Sequence, residues 1–423
     1  MGHFLLSVSV IFAIIVLVGF FNEKITHLTY EIALLLFSIL IGCVLTIMYA
    51  GMNNVTVRDL LDHIQVFNLE KFLVEGVLCF MLFAGSKNLK ITAFKENARN
   101  IMVLAFICTL ICALFYGGLF WFICQLLKIP FTLPMCFMIG SIIAPTDPIA
   151  ATSILKKFGL PEKVGFLMEA ESLLNDGVGV ALFVCFSGIV AGDAGSGFMT
   201  IMFREIIGAI LIGLIVCRIC FEIFVRTTDK HRKIFVSLLM VSLSYLLCEK
   251  LECSGAISCV VCGVVFSTLR DKAERNGKLD GAENFDSFWE TMDILLNSVL
   301  YVILGLTFVR IIQMSMIIIL SLIAIVFNLV CRYCSVFTGT LLMRSLPDGY
   351  DKKKFSTLFT WGGLRGGLSI ALAMSTASFL PADLYHILIG CAYAIVFFTT
   401  VVQGLTMKKV YQRLQNIKED QNL

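Results

Sequence analysis

Charge is scarce in this chain. Of its 423 residues only 15% are Asp, Glu, Lys or Arg, while 58% are hydrophobic and the mean hydropathy is +0.91. A soluble protein of this length could not hide so much apolar surface, so a water-soluble globular fold is excluded and a polytopic helical membrane protein is indicated. Basic residues are missing before the first apolar run, and no small-residue cleavage site follows it. Residues from about 4 to 21 therefore read as a first spanning helix and not as a cleaved signal. Histidine is rare: His3, His27, His63, His231 and His386 all lie in loops or at span edges, a poor basis for a proton relay, with only His231 placed as a cytosolic pH sensor. The sixteen cysteines are plentiful, but most lie inside apolar runs. The three CxxC spacings (Cys217/Cys220, Cys259/Cys262 and Cys331/Cys334) all fall within spans, without the clustered His partners a zinc or redox site would want. They read as small packing residues. No stretch has the length or composition of a soluble domain, and neither a cofactor nor nucleic acid is expected as a partner.

What is present is a series of apolar runs, about thirteen of them, at 4–21, 28–50, 70–86, 101–124, 131–155, 163–190, 201–225, 234–250, 255–269, 286–309, 313–342, 355–380 and 385–405. Lys and Arg are distributed unevenly between alternate loops. One set holds clusters such as Lys87/Lys90/Lys95/Arg99, Lys156/Lys157/Lys163, Arg226/Lys230/Arg232/Lys233 and Lys352/Lys353/Lys354. The other holds only Arg58, Lys71, Lys128, Lys250 and Arg310, with Arg204 at a membrane edge. This asymmetry predicts an amino terminus outside, a carboxyl terminus in the cytoplasm and an odd number of spans. The segment 407–423 reads as a short, basic, helical cytoplasmic tail after a transmembrane domain at 1–406.

Two spans are interrupted. Two of the seven prolines, Pro145 and Pro148, bracket Thr146 and Asp147 inside the fifth run. Each removes an amide donor and breaks the helix. Broken backbone at membrane depth survives only when it is buried in protein or lines a cavity. The twelfth run carries Gly362, Gly363, Arg365, Gly366 and Gly367 near its start. Glycine loosens a helix and lets another backbone approach. The fifth and twelfth spans are seven apart, as in two inverted six-helix repeats joined by one helix, an arrangement common in secondary transporters.

The sixth run carries the chemistry. Ser172 and Asp176 are four apart and share one helix face, while Glu171 and Asn175 form the adjacent stripe. An ionisable group inside a bilayer normally faces a partner or a pathway. A carboxyl taken out of water holds its proton more firmly, and a cation beside it favours release. One carboxyl can thus hold a proton or a cation in turn, which is what an exchanger needs. Asp176 is the central candidate, with Asn175 beside it as a site residue or a packing amide. Thr146 offers a hydroxyl and opened backbone carbonyls, hard oxygen ligands for a small cation. A small cation is expected at Asp176, Ser172 and Thr146. Asp147 reads more as a structural acceptor for helix-start amides than as a direct ligand. Three arginines lie within spans, Arg218, Arg332 and Arg365. Glu171 is expected to form a structural ion pair with Arg332 or Arg365, and Arg218, near a helix end, to snorkel. Glu31 and Glu290 read as solvated, and Glu75 and Asp293 complete the membrane carboxylates. One titrating carboxyl predicts electroneutral exchange of one cation for one proton. A cation channel would favour a continuous polar stripe, and an intramembrane enzyme would want a Ser or His/Glu set at suitable spacing. The clustered charges favour neither, although a channel or another cation-coupled carrier stays the alternative.

At Ala144-Pro145-Thr146-Asp147-Pro148, at Glu169 to Asp176 and at Gly362-Gly363-Leu364-Arg365-Gly366-Gly367, the chain resembles the monovalent cation:proton antiporter family of the NhaP/NHE type. The likeness extends through Phe288-Trp289-Glu290 and Asn297. The resemblance implies a homodimer in the cell membrane, with core helices at about 101–190 and 313–405 moving in an elevator-like manner against dimer or scaffold helices at about 4–86 and 234–309. It implies an ion-binding Asn-Asp pair at Asn175 and Asp176, an unwound segment at Thr146, Asp147 and Pro148, and a structural pair of Glu171 with Arg332, Arg365 matching the glycine-rich motif. It implies exchange of sodium for protons, with Na+ at Asp176, Ser172 and Thr146, and with lithium and potassium left open. The chain departs from several relatives at Ala84, where they carry an acidic residue.

Overall fold

The computed structural model describes residues 2–51, 76–87, 89, 91–147, 149–192, 200, 203–277, 283–308 and 315–415. Among these the chain is helical, and its one β-bridge joins Asp147 to Leu364. The α-helices are α1 (Gly2–Phe21), α2 (Tyr30–Gly51), α3 (Leu78–Ser86), α4 (Ile91–Met102), α5 (Thr109–Leu126), α6 (Leu133–Ile143), α7 (Ile149–Lys157), α8 (Glu162–Ala191), α9 (Ala209–Arg226), α10 (Lys230–Lys250), α11 (Gly255–Arg275), α12 (Glu283–Phe308), α13 (Ser315–Leu342), α14 (Lys352–Trp361), α15 (Gly367–Ser375), α16 (Ala382–Phe397) and α17 (Gly404–Leu414). Wider π-type turns join α4 to α5 and α16 to α17, so those pairs run on as single rods. Among the described residues, seven of the continuous helices are long and apolar enough to cross a membrane. Every expected span contains a described helix. Of the third, residues 76–86 lie within the described residues, with α3 over Leu78–Ser86, and Glu75 lies outside them.

The local sequence explains where helices start and stop. Thr132, Asp229, Ser254 and Asp351 each accept a backbone N–H three residues on, capping α6, α10, α11 and α14. The fifth span divides into α6 and α7 around Ala144–Pro148, and the twelfth divides into α14 and α15 around Gly362–Gly366. Both breaks fall where the proline pair and the glycine run predict them. The tail is helical, as its sequence leads one to expect. The helix that ends the last span does not stop at 406 but continues as α17, with Met407 and Tyr411 buried and the Tyr411 hydroxyl donating to the Gly159 carbonyl at 3.1 Å. Hydrophobic residues one turn apart, Met407 and Tyr411, keep this basic helix on the bundle.

Packing is aromatic on one side and hydrogen-bonded on the other. Phe83, Phe266, Phe285 and Trp289 lock α3, α11 and α12 together, with centroids 4.7 Å apart for Phe83–Trp289 and 5.2 Å for Phe266–Phe285. At one end of the same helices Asp286 receives both Lys87 at 3.0 Å and Arg270 at 2.7 Å. The cysteines pack against neighbouring backbone: Cys217 Sγ reaches the Cys262 carbonyl at 3.4 Å, and Cys262 Sγ reaches the Gly213 carbonyl at 3.3 Å. The outward faces of α1, α9 and α10 present Val16, Ile215, Ile219, Phe235 and Leu239. Apolar side chains on the outside are the expected surface of a helix bundle solvated by lipid.

Candidate ion site

Helix α8 runs past both breaks and grips the first. Thr146 is held at all three of its polar groups: its N–H donates to Asn175 Oδ1 at 3.2 Å, its carbonyl accepts from the Ser172 hydroxyl, and its hydroxyl accepts from Asn175 Nδ2 at 2.8 Å. A threonine between two prolines has lost its helical partners, and α8 supplies replacements. Asn175 also donates to Glu171 Oε1 at 2.7 Å. It is wholly buried. Asn175 therefore acts as the clasp between the broken helix and the ion pair, and the two stripes expected on this helix are both present.

The two breaks cross each other. The Asp147 N–H donates to the Leu364 carbonyl at 2.8 Å, which makes the isolated bridge. This close crossing needs glycine: a Cβ at Gly366 would lie 3.0 Å from Asp147 Cβ and 3.1 Å from its Oδ2. Tyr301 of α12 donates its hydroxyl to Asp147 Oδ2 at 3.2 Å. The expected role of Asp147 as a structural acceptor thus acquires a partner that sequence reasoning did not name.

The buried charges sort themselves. Glu171 pairs with Arg332, whose Nη2 lies 2.9 Å from Oε1 and 3.0 Å from Oε2, both side chains being buried. Arg365 is not part of this pair, which corrects its placement in the structural ion pair. Its guanidinium donates to the Ala144 carbonyl at 2.7 Å, to the Pro145 carbonyl at 2.8 Å and to Asn328 Oδ1 at 2.9 and 3.2 Å. The physical reason lies in the break. The carbonyls that end α6 have lost their donors and carry the negative end of the half-helix dipole, so a cation settles there. The same contact corrects the idea that the opened carbonyls as a group await a cation, because Arg365 already occupies two of them. Arg218 is exposed, 3.9 Å from Glu222 on its own helix, as its snorkelling position predicts. Glu290 is exposed.

Asp176 stands apart from all these pairs. It is half-buried, and no hydrogen bond or ion pair reaches it among the described residues. It lines a cavity of about 370 Å³ together with Ser172, Thr146 and Asp147. The cavity extends to Lys156 and Glu169, which pair at 2.6 Å and are partly exposed, so it connects the carboxylate with one surface of the bundle. On this wall the Asp176 carboxylate, the Ser172 hydroxyl oxygen and the Thr146 oxygens are hard ligands suited to a small cation or a proton. Sequence reasoning passed over the contribution of α12. Asp293, Asn297 and Tyr301 fall at four-residue intervals on one face of that helix, and Asp293 lines the cavity. The polar spacing inside an apolar run was the available signal. Asn328, a lone amide in an apolar span, was a similar one.

The profile of the family described as "Sodium/hydrogen exchanger, transmembrane" matches residues 4–413. The chain belongs to this family. The Na(+)/H(+) antiporter NhaH of Halobacillus aidingensis is 34% identical over 330 residues, covering 75% of this chain and 77% of that one. The Na(+)/H(+) antiporter NhaP of Pseudomonas aeruginosa is 28% identical over 364 residues, covering 84% of each. The structure of the sodium proton antiporter MjNhaP1 from Methanocaldococcus jannaschii superposes with a TM-score of 0.77 at 20% identity, over 98% of this chain and 99% of that one. The family drawn from three short motifs is the family of the whole chain, and the all-α polytopic fold is the fold of a solved exchanger.

Proposed function

We propose that this protein exchanges sodium for protons across a membrane, with the Asp176 carboxyl holding one or the other in turn. The observation that carries this reading is the isolation of that carboxylate. Glu171 is neutralised by Arg332, and the carbonyl end of α6 by Arg365, while Asp176 faces a cavity with no described partner. A negative charge kept at membrane depth without a resident counter-ion is a place for a travelling one. Ser172 and Thr146 add neutral oxygens beside it, and Asn175 keeps Thr146 in place. Relatives named as Na(+)/H(+) antiporters support the identity of the cargo. The crossing breaks on α6–α7 and α14–α15 support alternating access, in which the core at about 101–190 and 313–405 carries the site past the helices at about 4–86 and 234–309. The protein is a homodimer in the cell membrane, its amino terminus outside and its carboxyl terminus in the cytoplasm. The cavity therefore opens on the cytoplasmic side, where Lys156 and Lys157 form the basic last turn of α7.

Purified protein in liposomes loaded with a pH-sensitive dye tests this. Added sodium should move protons saturably, and lithium and potassium should rank against it. A channel would give cation flux without obligatory proton counter-movement. With one titrating carboxyl, one cation replaces one proton and no net charge moves. Clamping the membrane at a potassium diffusion potential of about 100 mV, worth ~2.3 kcal/mol per moved charge, should therefore leave both the initial rate and the end point unchanged. An end point that follows the clamp shows a stoichiometry other than one to one.

A further inference from the structure

The cavity that reaches Asp176 has a second carboxylate on its wall that the exchange step does not use. Asp293 comes from α12, inside an apolar stretch, and is half-buried. Its described partner is neutral: Asn297, one turn on, donates Nδ2 to Asp293 Oδ1 at 3.1 Å. The basic group on the same cavity, Lys156, is taken by Glu169 at 2.6 Å. Asn297 is itself buried, at 8% exposure, and the Oδ1 of the amide that touches Asp293 has no hydrogen-bond partner among the described residues. Ser369 of α15, on the cavity wall and 1% exposed, likewise has a hydroxyl without a partner. A carboxylate on the cavity wall whose described partner is a neutral amide, the unpartnered oxygen of that amide just behind it and an unpartnered hydroxyl on the same wall are hard oxygens that a partly dehydrated alkali cation satisfies.

Depth gives this charge a place in the path. Tyr301 of α12 reaches Asp147 at the level of the first break, and Asp293 lies eight residues earlier on the same helix, roughly 12 Å nearer its start on the cytoplasmic side. Asp293 is thus met first by an ion entering from the cytoplasm. The wall supplied by α3 is uncharged there, through Leu78, Met81, Leu82 and Gly85. This accords with the absence of an acidic residue at Ala84.

We infer that Asp293, together with the Asn297 amide oxygen, is a recruiting station that gathers the monovalent cation before it reaches Asp176. The inference rests on the exchange reading for its purpose. A fixed negative charge along a half-buried path raises the local cation concentration and thereby lowers the sodium concentration needed for half-saturation. It does not enter the reorientation that limits the rate at saturation.

The test compares wild type, Asp293→Asn, Asp293→Glu and Glu290→Gln in proteoliposomes, the last removing an exposed carboxylate one turn away. Asp293→Asn should raise the KM for sodium about five-fold, as expected for losing one partly screened charge, with the saturating rate retained. Asp293→Glu should restore the wild-type KM, and Glu290→Gln should leave it unchanged. An unchanged KM in Asp293→Asn, or a fall in saturating rate alone, overturns the proposal. A second arm does not depend on exchange. Sodium NMR line broadening by purified Asp176→Asn should persist and should vanish when Asp293→Asn is added. No broadening by Asp176→Asn refutes the station. Absence of exchange in wild type would instead refute the function proposed above while leaving this binding arm to decide.

Discussion

Asp176→Asn eliminates sodium-driven proton movement while the protein remains folded and inserted. Both halves of that result follow from the surroundings of the residue. The amide is nearly the same size, takes no proton in the working range and carries no charge to hold a cation. One charge–charge contact at about 4 Å, at an effective dielectric of about 20, is worth roughly 4 kcal/mol, so the lost sodium affinity is on the order of 1000-fold. The exchange rate measured with the pH dye should therefore fall below detection at sodium concentrations that saturate wild type. Folding is spared because no described group depends on Asp176: the substitution strands no partner. Elution as a single symmetric species in detergent, with wild-type thermal unfolding, checks that half. Full retained exchange removes Asp176 from the mechanism.

Arg332→Ala produces the opposite pattern. Arg332 is 1% exposed and neutralises Glu171, which is 2% exposed. Its removal leaves an uncompensated carboxylate in the driest part of the bundle, at a cost of about 3–5 kcal/mol. The damage spreads through Asn175, which bonds both Glu171 and Thr146, so the clasp on the first break loosens as well. The unfolding temperature in detergent should drop markedly, and activity should fall with the amount of folded protein. The KM for sodium of the surviving fraction should change far less than the stability does. Glu171→Gln combined with Arg332→Ala should be less damaging than the sum of the single changes, because the two residues share one interaction. A stable Arg332→Ala variant with a sharply altered KM for sodium would place Arg332 at the ion site instead.

Much of this architecture is legible in the sequence because lipid imposes strong local rules. Apolar runs bounded by charge located the helices, and prolines at 145 and 148 located one break. Glycines from 362 to 367 located the other. The spacing of Glu171, Ser172, Asn175 and Asp176 fixed which side chains share a face of α8. What the sequence left open was pairing across helices. Glu171 had two candidate arginines 161 and 194 residues away, and nothing local distinguishes them. The choice depends on the α6 carbonyls, which become acceptors only once Pro145 and Pro148 have opened the helix and α15 has crossed it. The α12 face was missed for a related reason. Asp293, Asn297 and Tyr301 are individually unremarkable polar residues, and only the cavity and the bond from Tyr301 to Asp147 bring them to the site. The helix of the tail was legible, but its packing on the bundle was not, because basic residues mask the buried positions Met407 and Tyr411.

The most direct test of the central claim, that one carboxyl hosts either a proton or sodium but not both, is the KM for sodium measured in wild-type proteoliposomes across a range of pH. If the two ions compete at Asp176, the KM should rise about ten-fold for each unit of pH lowered, below the pH at which the carboxyl is half-protonated. The rate at saturating sodium should stay constant along that line. A KM that does not change with pH while the maximal rate does would mean that proton and sodium occupy separate groups, and would contradict the account.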